Sequence, residues 1–310
     1  MGSDRQSFEG WGFINLHKPM GWTSHDCVGK LRRLLGLRKI GHGGTLDPRA
    51  TGVLPIAVGK ATRLLQYLPK QKAYRAVVRF GLQTTTDDLE GEAIATQACP
   101  HLTLEQVAAY LPEFQGRITQ IPPAFSAIQQ DGQRLYALAR QGIKVDVPSR
   151  QVDIYGLEVL AWRDGEFPEL ELNIRCGEGT YIRAIARDLG EKVGTGATLS
   201  SLVRTHSGGF SLEQSLTLET IETQLDQAIF HCQLPNQALQ HLPKIILDAA
   251  QEQSWSYGQK LPWSDPSEPL HTAISIYNSA DLCLGIGEFR ASKDDDTQKI
   301  LAPNLVLYGR

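Results

Sequence analysis

The sequence predicts an α+β chain in two parts: a mixed, mainly antiparallel sheet flanked by helices over residues 1–242, and a small β-rich unit over 243–310. Three observations carry this. Residues 73–80 (AYRAVVRF) and 169–176 (ELELNIRC) alternate apolar and polar side chains with period two, as strands with one buried face do. Residues 24–35 and 177–194 repeat their apolar positions at helical spacing instead. Beyond Pro243 the composition shifts to short β-like runs (TAISIY, LCLGIGEF, NLVLYG) separated by Pro, Ser and Asp.

In order along the chain, GFINL (12–16) reads as a strand ending at Lys18-Pro19. Ser24 is the expected N-cap of a helix to about Leu35, closed by Gly36, with Val28, Leu31, Leu34 and Leu35 on its apolar face. Lys30, Arg32, Arg33, Arg38 and Lys39 form the densest basic cluster in the chain. Residues 41–60, GHGGTLDPRATGVLPIAVGK, hold five glycines and two prolines and read as a flexible run. Within it, Asp47-Pro48 suits the first two positions of a type I turn. Residues 60–68 look helical and stop at Pro69. In 73–80, Tyr74, Ala76, Val78 and Phe80 share one face, and Arg75 and Arg79 the other. TTTDDLEGE (84–92) is loop-like, Thr103 and Gln106 make a capping box for a helix to about Leu111, and IPPAF (121–125) excludes regular structure. Residues 133–141 look helical and end at Gly142. VDIYGLEVLAW (152–162) and ELELNIRC read as neighbouring strands. A turn at 177 then leads into a helix that buries Ile182, Ile185, Ala186 and Leu189 and sets Arg183 and Arg187 one turn apart on another face.

The totals exclude several classes. With 310 residues, 41% of them hydrophobic, the chain can bury a real core. The net charge of −3 carries no bulk signature of nucleic-acid binding, and six Lys/Arg against nine Asp/Glu over 244–310 place that deficit in the tail. Anion binding must therefore come from local clusters. Five cysteines without a Cys-x-x-Cys, and eight histidines without ligand spacing, argue against a disulfide scaffold and a metal site. A reducing cytoplasm is expected. The N-terminus lacks the apolar core of a signal peptide, and no apolar run approaches the ~18 residues of a membrane span. GHGGTL lacks the third glycine of a dinucleotide fingerprint. GVLPIAVGKA has the wrong glycine spacing for a P-loop, and Ala61 stands where that motif needs a hydroxyl.

Read together, NLHKPMGWTS, GHGGTLDPRATGVLPIAVGKATR, KAYRA, PPAFSAIQQDGQRLYALARQG and GEGTYIRAIARDLG closely resemble the bacterial tRNA pseudouridine synthases of the TruB type, in order and spacing, over roughly residues 10–215. The tail from about Pro243 resembles the PUA-like RNA-binding domain of many members. The resemblance implies the pseudouridine synthase fold with an inserted thumb at about 125–150. It also implies cofactor-free isomerisation of uridine 55 in the T loop of tRNA, with the base flipped out of its stack.

The resemblance further implies residue roles. Asp47 is the nucleophile, a carboxylate that can form and release a covalent ester. Arg183 is its cationic partner, expected to grip it bidentately although about 136 residues away in sequence. Tyr74 stacks on the target base and is a candidate acceptor of the C5 proton, although a free phenol near pKa 10 is a poor base. Tyr181 and Leu202 complete the pocket, His42 braces the opened RNA loop, and Lys18 supports the catalytic loop. The basic cluster at 30–39, with Arg134, Arg140 and Lys144, supplies phosphate contacts. Members often carry two arginines after the pocket leucine. Here Val203-Arg204 follow Leu202, so one phosphate contact is expected to be missing or supplied elsewhere. The partner is the tRNA T stem-loop, with no membrane, no required protein partner, and a monomer expected. The alternatives are a non-catalytic RNA chaperone on the same scaffold, which retention of Asp47, Tyr74 and Arg183 disfavours, and a relative working within a guide-RNA particle.

Overall fold

The computed structural model describes residues 10–309 except 126–128, 131–132, 135–146, 264–269 and 292–298. Its larger sheet has nine strands: β1 (Gly12–Lys18), β2 (Ile40–His42), β3 (Thr51–Val58), β4 (Lys72–Phe80), β7 (Gly116–Gln120), β10 (Arg150–Arg163), β11 (Glu169–Cys176), β12 (Ala197–Ser207) and β13 (Phe210–Ser211). The main order is β1-β3-β12-β4-β11-β10-β7, with β2 beside β3 and β13 beside β12. Only the β3–β12 ladder is parallel, so the sheet is mixed and mainly antiparallel. Two short ladders lie apart from it, β5 (Leu82–Thr84) with β6 (Ala93–Thr96) and β8 (Gln129–Gln130) with β9 (Gln133–Arg134). A five-stranded sheet follows, in the order β14 (Lys244–Leu247), β16 (Ala273–Asn278), β17 (Cys283–Ala291), β18 (Lys299–Val306), β15 (Leu261–Trp263).

The periodic segments form as their patterns require. Tyr74, Ala76, Val78 and Phe80 are buried, as are Leu170, Leu172, Ile174 and Cys176 opposite them. On the other face, Arg75 pairs with Glu171 at 2.8 Å and Arg79 with Glu169 at 2.7 Å, so the polar face is a cross-strand ion ladder. Helix Ile182–Val193 buries Ile182, Ile185, Ala186 and Leu189 against this sheet.

Several boundaries differ. Thr23, rather than Ser24, caps helix Ser24–Leu35: its hydroxyl accepts from Asp26 N, and Asp26 accepts from Thr23 N, a reciprocal box that Ser24 cannot form. The capping box of Thr103 and Gln106 is present, but its helix ends at Ala108, and Leu111–Phe114 form a 3₁₀ turn. Residues Gly59–Tyr67 are likewise 3₁₀ rather than α. Residues 133–134 pair as a strand where a helix to 141 was expected. Residues 135–141, with Arg140, Lys144 and most of the thumb, lie outside the described residues.

The largest correction concerns residues 41–60, which are not a flexible run. Residues 51–58 are a buried strand beside the sheet's centre. Its neighbour β12 can approach in parallel only because residue 52 is glycine. Its φ is +102°, and a Cβ there would come within 2.3 Å of the Arg204 carbonyl oxygen.

Candidate active site

The turn foreseen at Asp47-Pro48 forms, closed by Ala50 N donating to Asp47 O at 3.1 Å. Four neighbours hold the loop that leads into it. Ser24, freed from capping, makes a reciprocal pair with Leu46: its hydroxyl accepts from Leu46 N at 2.9 Å and donates to Leu46 O at 3.2 Å. The fully buried Lys18 donates to the carbonyls of Pro19, Trp22 and Pro48 at 2.8, 2.7 and 3.1 Å. Gly21 N donates to Pro48 O at 2.9 Å. Arg204 donates to Gly44 O and Thr45 O. Glycine here permits tight turning, and hydrogen bonds then remove the freedom it brings.

Burial draws the Lys18 ammonium down to about 8, opposed by Cys27 and Asp47. One of its three carbonyl partners, Pro48 O, belongs to the turn that begins at Asp47.

Asp47 meets Arg183 across the site, with Arg183 Nε 3.0 Å from Asp47 Oδ2. The contact is single, not bidentate. The Nε–H is not aligned for a hydrogen bond, so the attraction is electrostatic. Both terminal nitrogens are already engaged, Nη1 with Thr86 O at 2.9 Å and Nη2 with Phe125 O at 3.0 Å. The two partners differ in exposure: the Arg183 side chain is 6% exposed and the Asp47 side chain 37%. A hidden cation therefore stands behind an accessible carboxylate.

A second carboxylate, Asp88, lies 3.7 Å from the same Nε and is buried. Its Oδ1 accepts from Thr86 Oγ1 at 2.6 Å and Glu90 N at 2.9 Å. Sequence reasoning missed it, because nothing in TTTDDLEGE separates Asp88 from Asp87. Asp87 instead pairs with Arg187 at 3.0 Å, which also takes Asp188 at 2.7 Å. Asp47, Asp88, Leu199, Ser200 and Leu202 line a small cleft that opens to solvent.

Of the remaining predicted residues, Tyr74, Tyr181 and His42 are not among those lining this cleft. Tyr74 is 6% exposed and pairs across the sheet with Arg204. Burial pushes its phenol up, and the Arg204 charge beside it pulls back. Tyr181 is half-buried at the start of helix Ile182–Val193. Gln120 clamps its backbone, accepting from its N at 2.8 Å and donating to its O at 3.0 Å. The Arg150 guanidinium lies 5.8 Å from its ring centre. His42 ends β2, with its ring edge-to-face on His25 at 5.8 Å. Burial, then the neighbouring His25 and Arg204, hold its imidazole below the ordinary range. Neither His42 nor Tyr181 hydrogen-bonds to Asp47.

Arg204, which with Val203 follows the predicted pocket Leu202, is fully buried, with Nε donating to Val53 O at 2.7 Å, Nη1 to Thr45 O at 3.1 Å and Nη2 to Gly44 O at 3.2 Å. The basic cluster divides: Lys30 pairs with Glu222 at 3.4 Å and Arg32 donates to Ile40 O, while Arg33, Arg38 and Lys39 are exposed. Among the described residues no group of His, Cys, Asp and Glu could hold a metal ion, and no helix is long and apolar enough to cross a membrane.

Comparison with known proteins places this site in a family. The model of the TruB family pseudouridylate synthase N-terminal domain matches residues 32–182, and that of the tRNA pseudouridylate synthase B C-terminal domain matches residues 183–243. The tRNA pseudouridine synthase B of Trichormus variabilis is 53% identical over 299 residues, covering 96% of this chain and 98% of its own. That of Synechocystis sp. is 50% identical over 300 residues, covering 96% and 99%. Among solved structures, a chain of a Cbf5–Nop10–Gar1 complex superposes with a TM-score of 0.73 at 25% identity, covering 99% of this chain and 93% of its own. The chain therefore belongs to the TruB family of pseudouridylate synthases.

Proposed function

We propose that this chain converts uridine 55 in the T loop of tRNA to pseudouridine, with Asp47 as the nucleophile. The observation that carries the reading is the accessible Asp47 carboxylate held 3.0 Å from the buried Arg183 at a cleft edged by Leu202. Arg183 is anchored by Thr86 O and Phe125 O, so its charge does not depend on Asp47 for position. A preorganised cation of this kind holds the carboxylate in place and costs no rearrangement when substrate arrives.

With the nucleotide flipped into the cleft, Asp47 attacks at ribose C1′ or uracil C6, and the C1′–N1 bond breaks. The uracil turns, C5 bonds to C1′, the bond to Asp47 breaks and frees the carboxylate, and loss of the C5 proton restores the ring. Tyr74, Tyr181 and Leu202 wall the base and sugar, and His42 braces the vacated stack. Tyr74 enters as a neutral phenol, because burial pushes its titration up. Only the phenolate can take the C5 proton, and the Arg204 charge beside it favours that form while burial opposes it. The thumb at about 125–150 and the exposed Arg33, Arg38 and Lys39 hold the RNA backbone, and residues 243–310 form a PUA-like unit. The protein acts in the cytoplasm, without a cofactor, as a monomer.

The test is Asp47→Ala, assayed on a T stem-loop transcript with no other protein or guide RNA. Pseudouridine formation should fall by at least about 10⁴-fold. RNA affinity should change by less than about threefold, because the exposed carboxylate makes no favourable phosphate contact. A variant that still modifies the RNA overturns the nucleophile assignment. A wild-type protein inactive on its own favours a guide-dependent or purely binding role.

A further inference from the structure

Arg204 carries a charge that its structural contacts do not explain. Its side chain is fully buried, and its hydrogen bonds go to three backbone carbonyls, Gly44, Thr45 and Val53. Among the described residues it enters no ion pair, in contrast to Arg183 and Arg187 on the neighbouring helix. Burying a guanidinium without a carboxylate costs several kcal/mol. If holding carbonyls were its whole role, a neutral amide donor would do part of that work without this cost.

What surrounds Arg204 supplies the missing reason. Two of its three carbonyls belong to the segment leading to Asp47. Across β12, its backbone faces Gly52 on one side and Tyr74 on the other. Its charge acts, after burial, on Lys72 and on Tyr74. The glycine at position 52 makes this placement sterically possible.

We propose that Arg204 is a positioning residue for the isomerisation: it sets the Gly44–Thr45 backbone so that Asp47 stands at the cleft, and it places a fixed positive charge beneath the loop and beside Tyr74. The inference rests on Asp47 being the nucleophile. It assigns Arg204 no contact with RNA, although it lies two residues beyond Leu202 in the cleft wall.

The full-length variants Arg204→Lys and Arg204→Gln test it, compared with wild type and Asp47→Ala on the same transcript. Three quantities are measured: the single-turnover rate at saturating RNA, the RNA dissociation constant, and the thermal midpoint. The expected result is a rate lowered by about 30-fold or more, more in Gln than in Lys, with affinity within about threefold of wild type. Arg204→Ala should regain part of its rate when methylguanidinium is added, a response that a purely structural role would not give. A folded Arg204→Gln that reacts within about threefold of the wild-type rate overturns the proposal. So does loss of the cooperative thermal transition in both variants, which would make Arg204 a requirement of the fold alone. An active Asp47→Ala would instead overturn the nucleophile reading, so the two failures are distinguishable.

Discussion

The two sheets bury different chemistry. Beneath and around the nine-stranded sheet the interior contains Lys18, Asp88, Arg183 and Arg204. In the five-stranded sheet the only buried polar side chain among the described residues is Ser275, and the rest of its core is built from residues such as Trp255, Ile276, Ile286, Phe289 and Leu301. Each buried charge costs stability unless fully compensated, so a region built only to fold avoids them. The first sheet accepts that cost where its charges surround one exposed carboxylate. The second sheet is joined to it through a shared apolar core, in which Phe13, Val53 and Leu64 pack with Tyr277, Ile286 and Leu305. The second region thus buries apolar side chains almost alone, whereas the first adds buried charge to its apolar core.

The largest effect expected from this contrast is on folding. Phe289→Ala removes a fully buried ring packed on Trp263 at 5.4 Å and should cost about 3–5 kcal/mol, read as a lowered denaturation midpoint. The folded fraction should keep its turnover rate. A drop in rate beyond the loss of folded protein would break the separation drawn above. Next comes Asp88→Asn, which keeps the shape and the hydrogen bonds from Thr86 and Glu90 but removes the charge near Arg183. Single-turnover rate should fall by about 30–100-fold with a thermal midpoint near wild type. An unchanged rate would reduce Asp88 to a loop fastener.

Lys18→Met gives a smaller change and sharpens the account of buried charge. The ammonium titrates at about 8 in the folded protein and at the ordinary 10.5 when unfolded. Between those values the unfolded state binds more protons, so wild-type stability rises with pH across that window. The Met variant should lose this rise, as chemical denaturation at pH 7.5 and pH 10 would register, while the rate drops about tenfold because three carbonyls lose their donor. A slope identical to wild type would mean that Lys18 is not the group concerned. Smallest is Arg33→Ala at the exposed end of the basic cluster: RNA affinity should weaken by about two- to fivefold with a shallower salt dependence, and the saturated rate should not move. A change confined to the rate would remove this surface from the binding path.

Much of the fold was legible because period-two and period-3.6 patterns are properties of consecutive residues. The faces of β4 and β11, the buried face of helix Ile182–Val193 and the capping box at Thr103 all follow from such patterns. Among the strands that were not foreseen, β3 and β12 run beside the site. β3 carries Gly52 and Pro55, which ordinarily argue against an interior strand. Its proline is accommodated because Pro55 O takes the Gly43 N–H, and its glycine because Arg204 lies against it. β12 mixes Ser, Leu, Val, Arg and Thr because it runs from the core to the cleft.

By itself, the sequence determined which segments alternate, that Thr103 caps a helix, that Asp47 begins a turn, and which residues, Arg183 among them, resemble a known catalytic set. Only the tertiary structure decided that Asp88 rather than Asp87 shares Arg183 with Asp47, that Arg187 takes Asp87 instead, and that Arg204 lies inside. Periodicity tells which face of an element is buried. Which charge meets which carboxylate depends on the rotation and register of elements far apart in the chain, and these are set by packing that no local window contains.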